Sequence, residues 1–197
     1  REGTGMKRPA PATIAVSVGI LLVAGVIAGI LLGGTDGATA IEVGDQKMSR
    51  EALNDELREW ADWDETNART TTGAVSGQAG ATITTQVVYR MLIDRYLDRE
   101  GERVTSADRQ SARTALDQAA GTAKVPDSFA RLFLDQQATF SALTRVVGED
   151  DQGTAELRVL RREARDAGVR VDRAYGLWAP GRLQVVPFPT PLGSAGG

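Results

Sequence analysis

The chain contains no cysteine and no histidine among its 197 residues. These absences exclude a disulfide scaffold, thiol nucleophiles, thiolate zinc sites, and imidazole bases or metal ligands. They also exclude a lipid-modified cysteine as an anchor. Lysine is scarce as well, with only Lys7, Lys47 and Lys124, so arginine supplies nearly all of the positive charge. Most familiar active sites are therefore unavailable, and the length suits one membrane element and one modest domain.

An uncharged run at residues 12–32 is the strongest signal in the sequence. At about 1.5 Å per residue, a helix of this length crosses a hydrocarbon core of about 30 Å. Lys7 and Arg8 precede the run and acidic residues follow it, so the positive-inside bias predicts a single-pass protein of the cell membrane. Its N-terminus is expected in the cytoplasm and residues 35–197 outside. A cleaved signal peptide is the alternative, because residues 38–40 have the small-x-small form of a cleavage site.

Glycines recur at every fourth residue of the predicted transmembrane helix, at Gly25, Gly29 and Gly33. This spacing places them on one face, where the missing side chains let a second helix approach closely. The pattern predicts packing against a partner helix or self-association. The alternative is that glycine is simply common in membrane helices.

The sequence predicts a mainly α-helical domain at 41–178. It is preceded by a cytoplasmic segment at 1–11, the membrane helix at 12–32 and a linker at 33–40. A β-hairpin with a tight turn at 44–45 opens it. Apolar residues at helical spacing and N-cap signals then predict five helices, which begin near residues 49, 81, 105, 126 and 154. The polar stretch at 64–80 is predicted to be a loop.

Two features are predicted near the C-terminal end. Val169 to Val171 alternate like a strand, and pairing with the opening hairpin would bring the ends of the domain together. From residue 179 the composition turns to proline, glycine and serine, which cannot bury enough apolar surface to order the chain alone. Residues 179–197 are therefore predicted to be a tail.

The segments "VGDQKMSREALNDEL" (43–57), "RMLIDRYLDREGERVTSADRQSARTAL" (90–116) and "VRVDRAYGLW" (169–178) carry a family resemblance. The first two are similar to the V-N-G-x-x-I-S-x-x-x-L opening and the L-I-x-x-x-L-L-x-x-x-G-x-x-V-S-x-x-D segment of the N-terminal domain of SurA- and PrsA-type extracytoplasmic chaperones and foldases. The third is similar to the ending of actinobacterial members that stop after the helical domain. The sequence departs from the pattern at 44–45, where the family has Asn-Gly, and at Ala174, where it has arginine.

The resemblance implies a SurA N-terminal-like helical domain that binds client or partner polypeptides. Foldases of this type insert a parvulin-like prolyl isomerase domain between the fourth helix and the last one, whereas residues 147–156 here leave no room for it. A parvulin site also depends on histidines, which this chain lacks. The resemblance therefore implies polypeptide binding without isomerase activity.

Aromatic and basic side chains are the candidates for partner contact. Trp63 departs from the apolar stripe of the first helix and Trp178 lies in the terminal segment, although both could instead close the small core. Four arginines of the last helix are expected to face outward and to meet an acidic partner or anionic lipid headgroups, and a solvated helix face is the alternative. These are Arg158, Arg161, Arg162 and Arg165.

The sequence predicts no catalytic, cofactor or metal site. The adjacent acids at 149–151 lack a partnered base and the ligand spacing of a calcium loop, so ordinary solvation explains them. Without Arg1, Glu2, Lys7 and Arg8, 20 basic and 25 acidic residues remain, and this net charge of −5 argues against nucleic acid. The predicted function is a membrane-anchored, extracytoplasmic, chaperone-like polypeptide-binding module that is not an enzyme. The alternative is a structural accessory subunit of a membrane protein complex, such as an actinobacterial respiratory supercomplex.

Overall fold

The computed structural model describes residues 38–63, 66–148 and 153–188. This part of the chain is mainly helical with small antiparallel strands, as the apolar periodicity predicts. The helices are α1 (Arg50–Ala61), α2 (Gly77–Glu100), α3 (Ser106–Ala120), α4 (Asp127–Val147) and α5 (Thr154–Ala167). The strands are β1 (Thr39–Val43), β2 (Gln46–Ser49), β3 (Val169–Val171), β4 (Leu177–Ala179) and β5 (Gln184–Val186).

The predicted fold class included a transmembrane helix, and this part is corrected. Across the three described ranges, no helix combines the length and the apolar character needed to cross a membrane. This finding overturns the fold class as predicted and, with it, the single-pass localisation. The apolar run at 12–32, on which both predictions rested, lies outside the described residues.

The beginning and the end of the domain meet in one three-stranded antiparallel sheet of order β2-β1-β3. Gly44 adopts a φ of +62° at the turn between β1 and β2, a conformation that glycine reaches without steric cost. Ile41 pairs with Val171, and the side chains of Ile41 and Val43 are fully buried. The strand at 169–171 therefore returns to the hairpin, in line with its alternating pattern.

Helix α2 begins earlier than composition predicts. The hydroxyl of Ser76 accepts a hydrogen bond from the Ala79 N–H at 3.1 Å, which satisfies one of the free donors at the helix start. The helix therefore starts at Gly77, inside the stretch 64–80 that was predicted to be a loop. Val75 is buried just before this cap and fixes the end of the preceding loop.

One apolar core joins the sheet to α1, α2, α4 and α5. Its fully buried members include Leu53 and Leu57 of α1, Leu92 of α2 and Leu143 of α4. Helix α3 packs mainly on α4 and buries little more than one alanine and one aspartate of its own. Most of the polar surface of α3 therefore faces solvent.

Residues 180–188 belong to the described structure, in a stretch where composition predicts a tail. Strand β5 pairs with β4, and Val185 is buried. Two long-range hydrogen bonds hold the segment on α2. Tyr89 donates through its hydroxyl to the Leu183 carbonyl at 2.6 Å, and the Val185 N–H donates to the Thr85 hydroxyl at 2.8 Å. Residues 183 and 185 of this segment are therefore held by contacts with α2.

Candidate functional site

The structure places the two candidate tryptophans at the edge of the core. Trp63 is partly buried, and its ring centroid lies 4.6 Å from that of Phe129, which is buried. Trp178 is also partly buried and packs against the main core. Both therefore close the core, which is the alternative that the sequence left open. The glycines predicted to pack a membrane helix, Gly25, Gly29 and Gly33, lie outside the described residues.

The four arginines of α5 are exposed, and three of them converge. Arg158, Arg161 and Arg165 line a shallow concavity of about 270 Å³ whose other wall is the turn between β4 and β5, at 180–181. Arg162 lies apart from this concavity, with its Nε 3.8 Å from the buried carboxylate of the next residue. The turn at 180–181, which was predicted to be part of a tail, therefore completes the arginine surface of α5 that was predicted to contact a partner.

A larger concavity of about 360 Å³ lies between α2, α3 and α4, and sequence reasoning missed it. We call it the helical groove. Apolar atoms of Val104, Leu134 and Ala138 form part of its lining. Its charged lining residues are Asp94 of α2, Arg109 and Arg113 of α3, and Arg131 and Asp135 of α4. The groove therefore combines apolar surface with charges of both signs.

Asp94 titrates in an unusual range for an aspartate. Its partial burial raises the pKa of the carboxyl from 3.8 to about 6. The positive charge of Arg90 opposes this rise, whereas the negative charges of Asp135 and Asp98 add to it. The charge balance of the groove therefore changes between mildly acidic and neutral pH.

Ion pairing distinguishes the arginines of the groove from one another. Arg131 is paired with Glu59 across the helices, so its charge is already compensated. Arg109 and Arg113 are exposed and form no ion pair with any residue in the described part of the chain. They stand four residues apart on α3, which places them on one face of that helix. Their guanidinium groups are available to a ligand in the groove.

Glu163 is a buried acid that lies in neither concavity. Its Oε1 accepts a hydrogen bond from Arg99 of α2 at 2.5 Å, and its Oε2 lies 3.8 Å from Arg95 Nε without a hydrogen bond. This carboxylate holds α5 against α2, which is a structural role. Within the described ranges, no group of three or more acidic side chains is arranged to hold a metal ion.

Comparison with known proteins identifies no relative. No family model, no curated protein and no solved structure matches the chain. The similarity to SurA-type domains therefore stays a prediction from the three sequence motifs.

One sequence signal points to the helical groove in retrospect. The α3 segment "SADRQSARTALDQAA" carries Arg109 and Arg113 at a spacing of four, and Ala112 is its one buried apolar residue. A helix with so small an apolar face can approach its neighbours closely only along a narrow line. The space beside that line is where the groove forms.

Proposed function

We propose that this domain binds a polypeptide segment without chemical turnover, and that the helical groove is its binding site. The observation that carries the proposal is the groove itself, an open space of about 360 Å³ between three helices. Ligand sites in proteins are typically concave, with volumes of about 300–1,000 Å³ and a few polar groups set in apolar lining. The SurA-type motifs favour the same class of function.

A polypeptide offers the groups that the groove complements. Its backbone presents one carbonyl acceptor and, except at proline, one N–H donor per residue. The guanidinium groups of Arg109 and Arg113 each carry five N–H donors in a planar fork, which suits carbonyl and carboxylate oxygens. The ionised carboxylates of Asp94 and Asp135 accept hydrogen bonds from N–H groups. Burial of apolar ligand side chains, for example against Leu134, stabilises the complex by about 25 cal/mol per Å² of buried apolar surface.

Binding without turnover is what the lining residues support. Thr139 carries the one hydroxyl among the lining residues, and that hydroxyl donates to the Asp135 carbonyl at 3.0 Å. Nucleophilic catalysis requires a base within hydrogen-bond reach of the nucleophile and a third group that orients the base. The groove does not pair Thr139 in this way.

The decisive experiment measures binding of an unfolded peptide to the full chain by fluorescence anisotropy. The probe is a labelled peptide with equal numbers of acidic, basic and apolar residues. The double variant R109E/R113E reverses two exposed charges on α3, and far-UV circular dichroism checks that the helices remain. We expect the dissociation constant to rise about tenfold or more, which corresponds to about 1.4 kcal/mol, because two charge-assisted contacts become repulsive.

The matched control reverses two exposed arginines elsewhere. R58E/R173E lies outside both concavities and changes the net charge by the same amount, so it should leave binding of the mixed-charge peptide within about twofold of the wild type. Equal binding by R109E/R113E and the wild type would refute the groove as the site. Absence of peptide binding by the wild-type chain, or prolyl isomerisation faster than the uncatalysed rate, would refute the function.

A further inference from the structure

The basic face of α5 differs from the helical groove because its lining is cationic. Arg158, Arg161 and Arg165 occur at helix positions i, i+3 and i+7, which lie on one face. The turn between β4 and β5 forms the opposite wall, and none of the described residues that line the concavity is acidic. At the turn, Gly181 has open space where a side chain would begin. The concavity is therefore an accessible cluster of positive charge.

The acids of α5 are directed away from this face. Glu163 is buried against α2, where it accepts a hydrogen bond from Arg99. Glu156 accepts a hydrogen bond from the Thr144 hydroxyl of α4 at 2.9 Å. Asp166 is exposed, but at about 100° per residue it projects from a different side of the helix than Arg165. Helix α5 therefore separates its charges, with two acids turned toward neighbouring helices and the arginines turned toward solvent.

Charge compensation is common elsewhere in the described domain. Arg50, Arg90, Arg99 and Arg145 all form ion pairs with carboxylates that are distant in sequence. The three arginines of the α5 concavity form none with any residue of the ranges 38–63, 66–148 and 153–188. The whole chain carries a net charge of −3. A convergent cationic site on an acidic protein attracts an anionic partner selectively.

We propose that the α5 face and the β4–β5 turn form a second binding site, which docks an acidic segment of a partner polypeptide. The row from Arg158 to Arg165 rises about 10 Å along the helix. An extended peptide covers that distance with about three residues. The segment that fits therefore carries two or three aspartates or glutamates within about four consecutive residues. The planar guanidinium groups bind each carboxylate through paired N–H donors.

A peptide partner suits this surface better than a nucleic acid. Proteins that bind single strands combine a cationic groove with aromatic side chains on which bases stack. The described lining of this concavity consists of Thr154, three arginines, Pro180 and Gly181, and it contains no aromatic ring. A single exposed ion pair contributes little to binding, so recognition depends on several carboxylates engaging together.

The test uses the full chain and two labelled peptides, one with alternating glutamate and glycine and one with glutamine in place of each glutamate. We expect the glutamate peptide to bind, and its affinity should fall at higher salt because ions screen the contacts. The affinity of the glutamine peptide should be lower by about tenfold or more. The variant R158Q/R161Q/R165Q should lose about tenfold in affinity for the glutamate peptide. All three positions are exposed, so the fold should persist.

The control variant R58Q/R103Q/R173Q removes three exposed arginines that line neither concavity and should keep the affinity for the glutamate peptide. Equal loss in both variants would show a general charge effect and overturn the site. Equal binding of both peptides, or tighter binding of a single-stranded oligonucleotide, would overturn the ligand class. Self-association of the wild-type chain that the α5 variant abolishes, without peptide binding, would assign the surface to a second copy and also overturn the proposal.

This site is independent of the helical groove. A loss of mixed-charge peptide binding in R109E/R113E, together with normal glutamate-peptide binding, would support the groove and leave the α5 site intact. Normal mixed-charge peptide binding in R109E/R113E, together with a loss of glutamate-peptide binding in R158Q/R161Q/R165Q, would support the α5 site and refute the groove. The failure of one proposal is therefore distinguishable from the failure of the other.

Discussion

Replacing Asp94 by asparagine should stabilise the folded chain near neutral pH. Burial raises the pKa of this carboxyl to about 6, so the folded protein disfavours its charged form relative to the unfolded chain, where the pKa is near 3.8. Asparagine keeps the shape of the side chain and removes the charge. A gain in stability from a groove residue would show that the groove holds a charge at a cost to folding, as binding sites often do.

The sign and size of the effect follow from the two pKa values. Below pH 3.8 the carboxyl is neutral in both states and contributes nothing. As the pH rises toward 6 the unfolded state releases its proton first, so the free energy of unfolding falls, and the penalty is complete above pH 6. The full difference corresponds to about 3 kcal/mol. Because Asp94 is partly open to solvent in the groove, screening reduces the expected gain in D94N to about 1–2 kcal/mol at pH 7.5.

Urea denaturation of the wild type and D94N at pH 4.5, 6 and 7.5 measures this difference. The difference in the free energy of unfolding should grow with pH, because groups common to both proteins cancel. The control D117N removes an exposed carboxylate from α3 and should change stability by less than about 0.5 kcal/mol at every pH. A D94N variant that is less stable than the wild type at pH 7.5, or whose gain is the same at all three pH values, would refute the reasoning.

Two further predictions concern the packing of α5 and of the terminal hairpin. R99A leaves the buried Glu163 carboxylate without its closest cation and should lower the free energy of unfolding by about 3 kcal/mol in urea, and a loss below about 0.5 kcal/mol would contradict the buried pair. G176A places a methyl group 2.6 Å from the Val186 carbonyl oxygen at a φ of +127°, so it should cost about 2 kcal/mol by thermal unfolding. G181A meets no atom within 4 Å and should be nearly neutral, so equal losses in the two glycine variants would contradict this account.

The sequence predicts best those elements whose signals are local. Ser49 caps α1 by accepting a hydrogen bond from the Ala52 N–H, and Thr105 and Asp108 form the capping box that starts α3. Each of these signals involves residues within three positions of one another, so no tertiary contact is needed to make it. The turn at Gly44 is of the same kind. Such signals define where helices and turns begin, and the structure places them at the expected positions.

Elements that depend on distant contacts are predicted poorly. The segment around Leu183 and Val185 has the composition of a tail, yet both residues are buried because Tyr89 and Thr85 hydrogen-bond to their backbone. These partners lie 94 and 100 residues away in the chain. Local composition contains no information about a polar partner on α2. The helical groove was missed for a related reason, since it arises from the relative positions of three helices.

The proposed α5 site depends on how α5 is held. An apolar contact is not directional, so a helix packed only by apolar side chains is free to settle at several rotations about its axis. Glu163 is directional because its carboxylate is bonded to Arg99 of α2. A rotation by one residue is about 100° and would carry the arginine row away from the β4–β5 turn. Burying this carboxylate costs desolvation energy that an apolar residue would avoid. We therefore expect the ion pair to fix the rotation of α5 that sets Arg158, Arg161 and Arg165 opposite the turn.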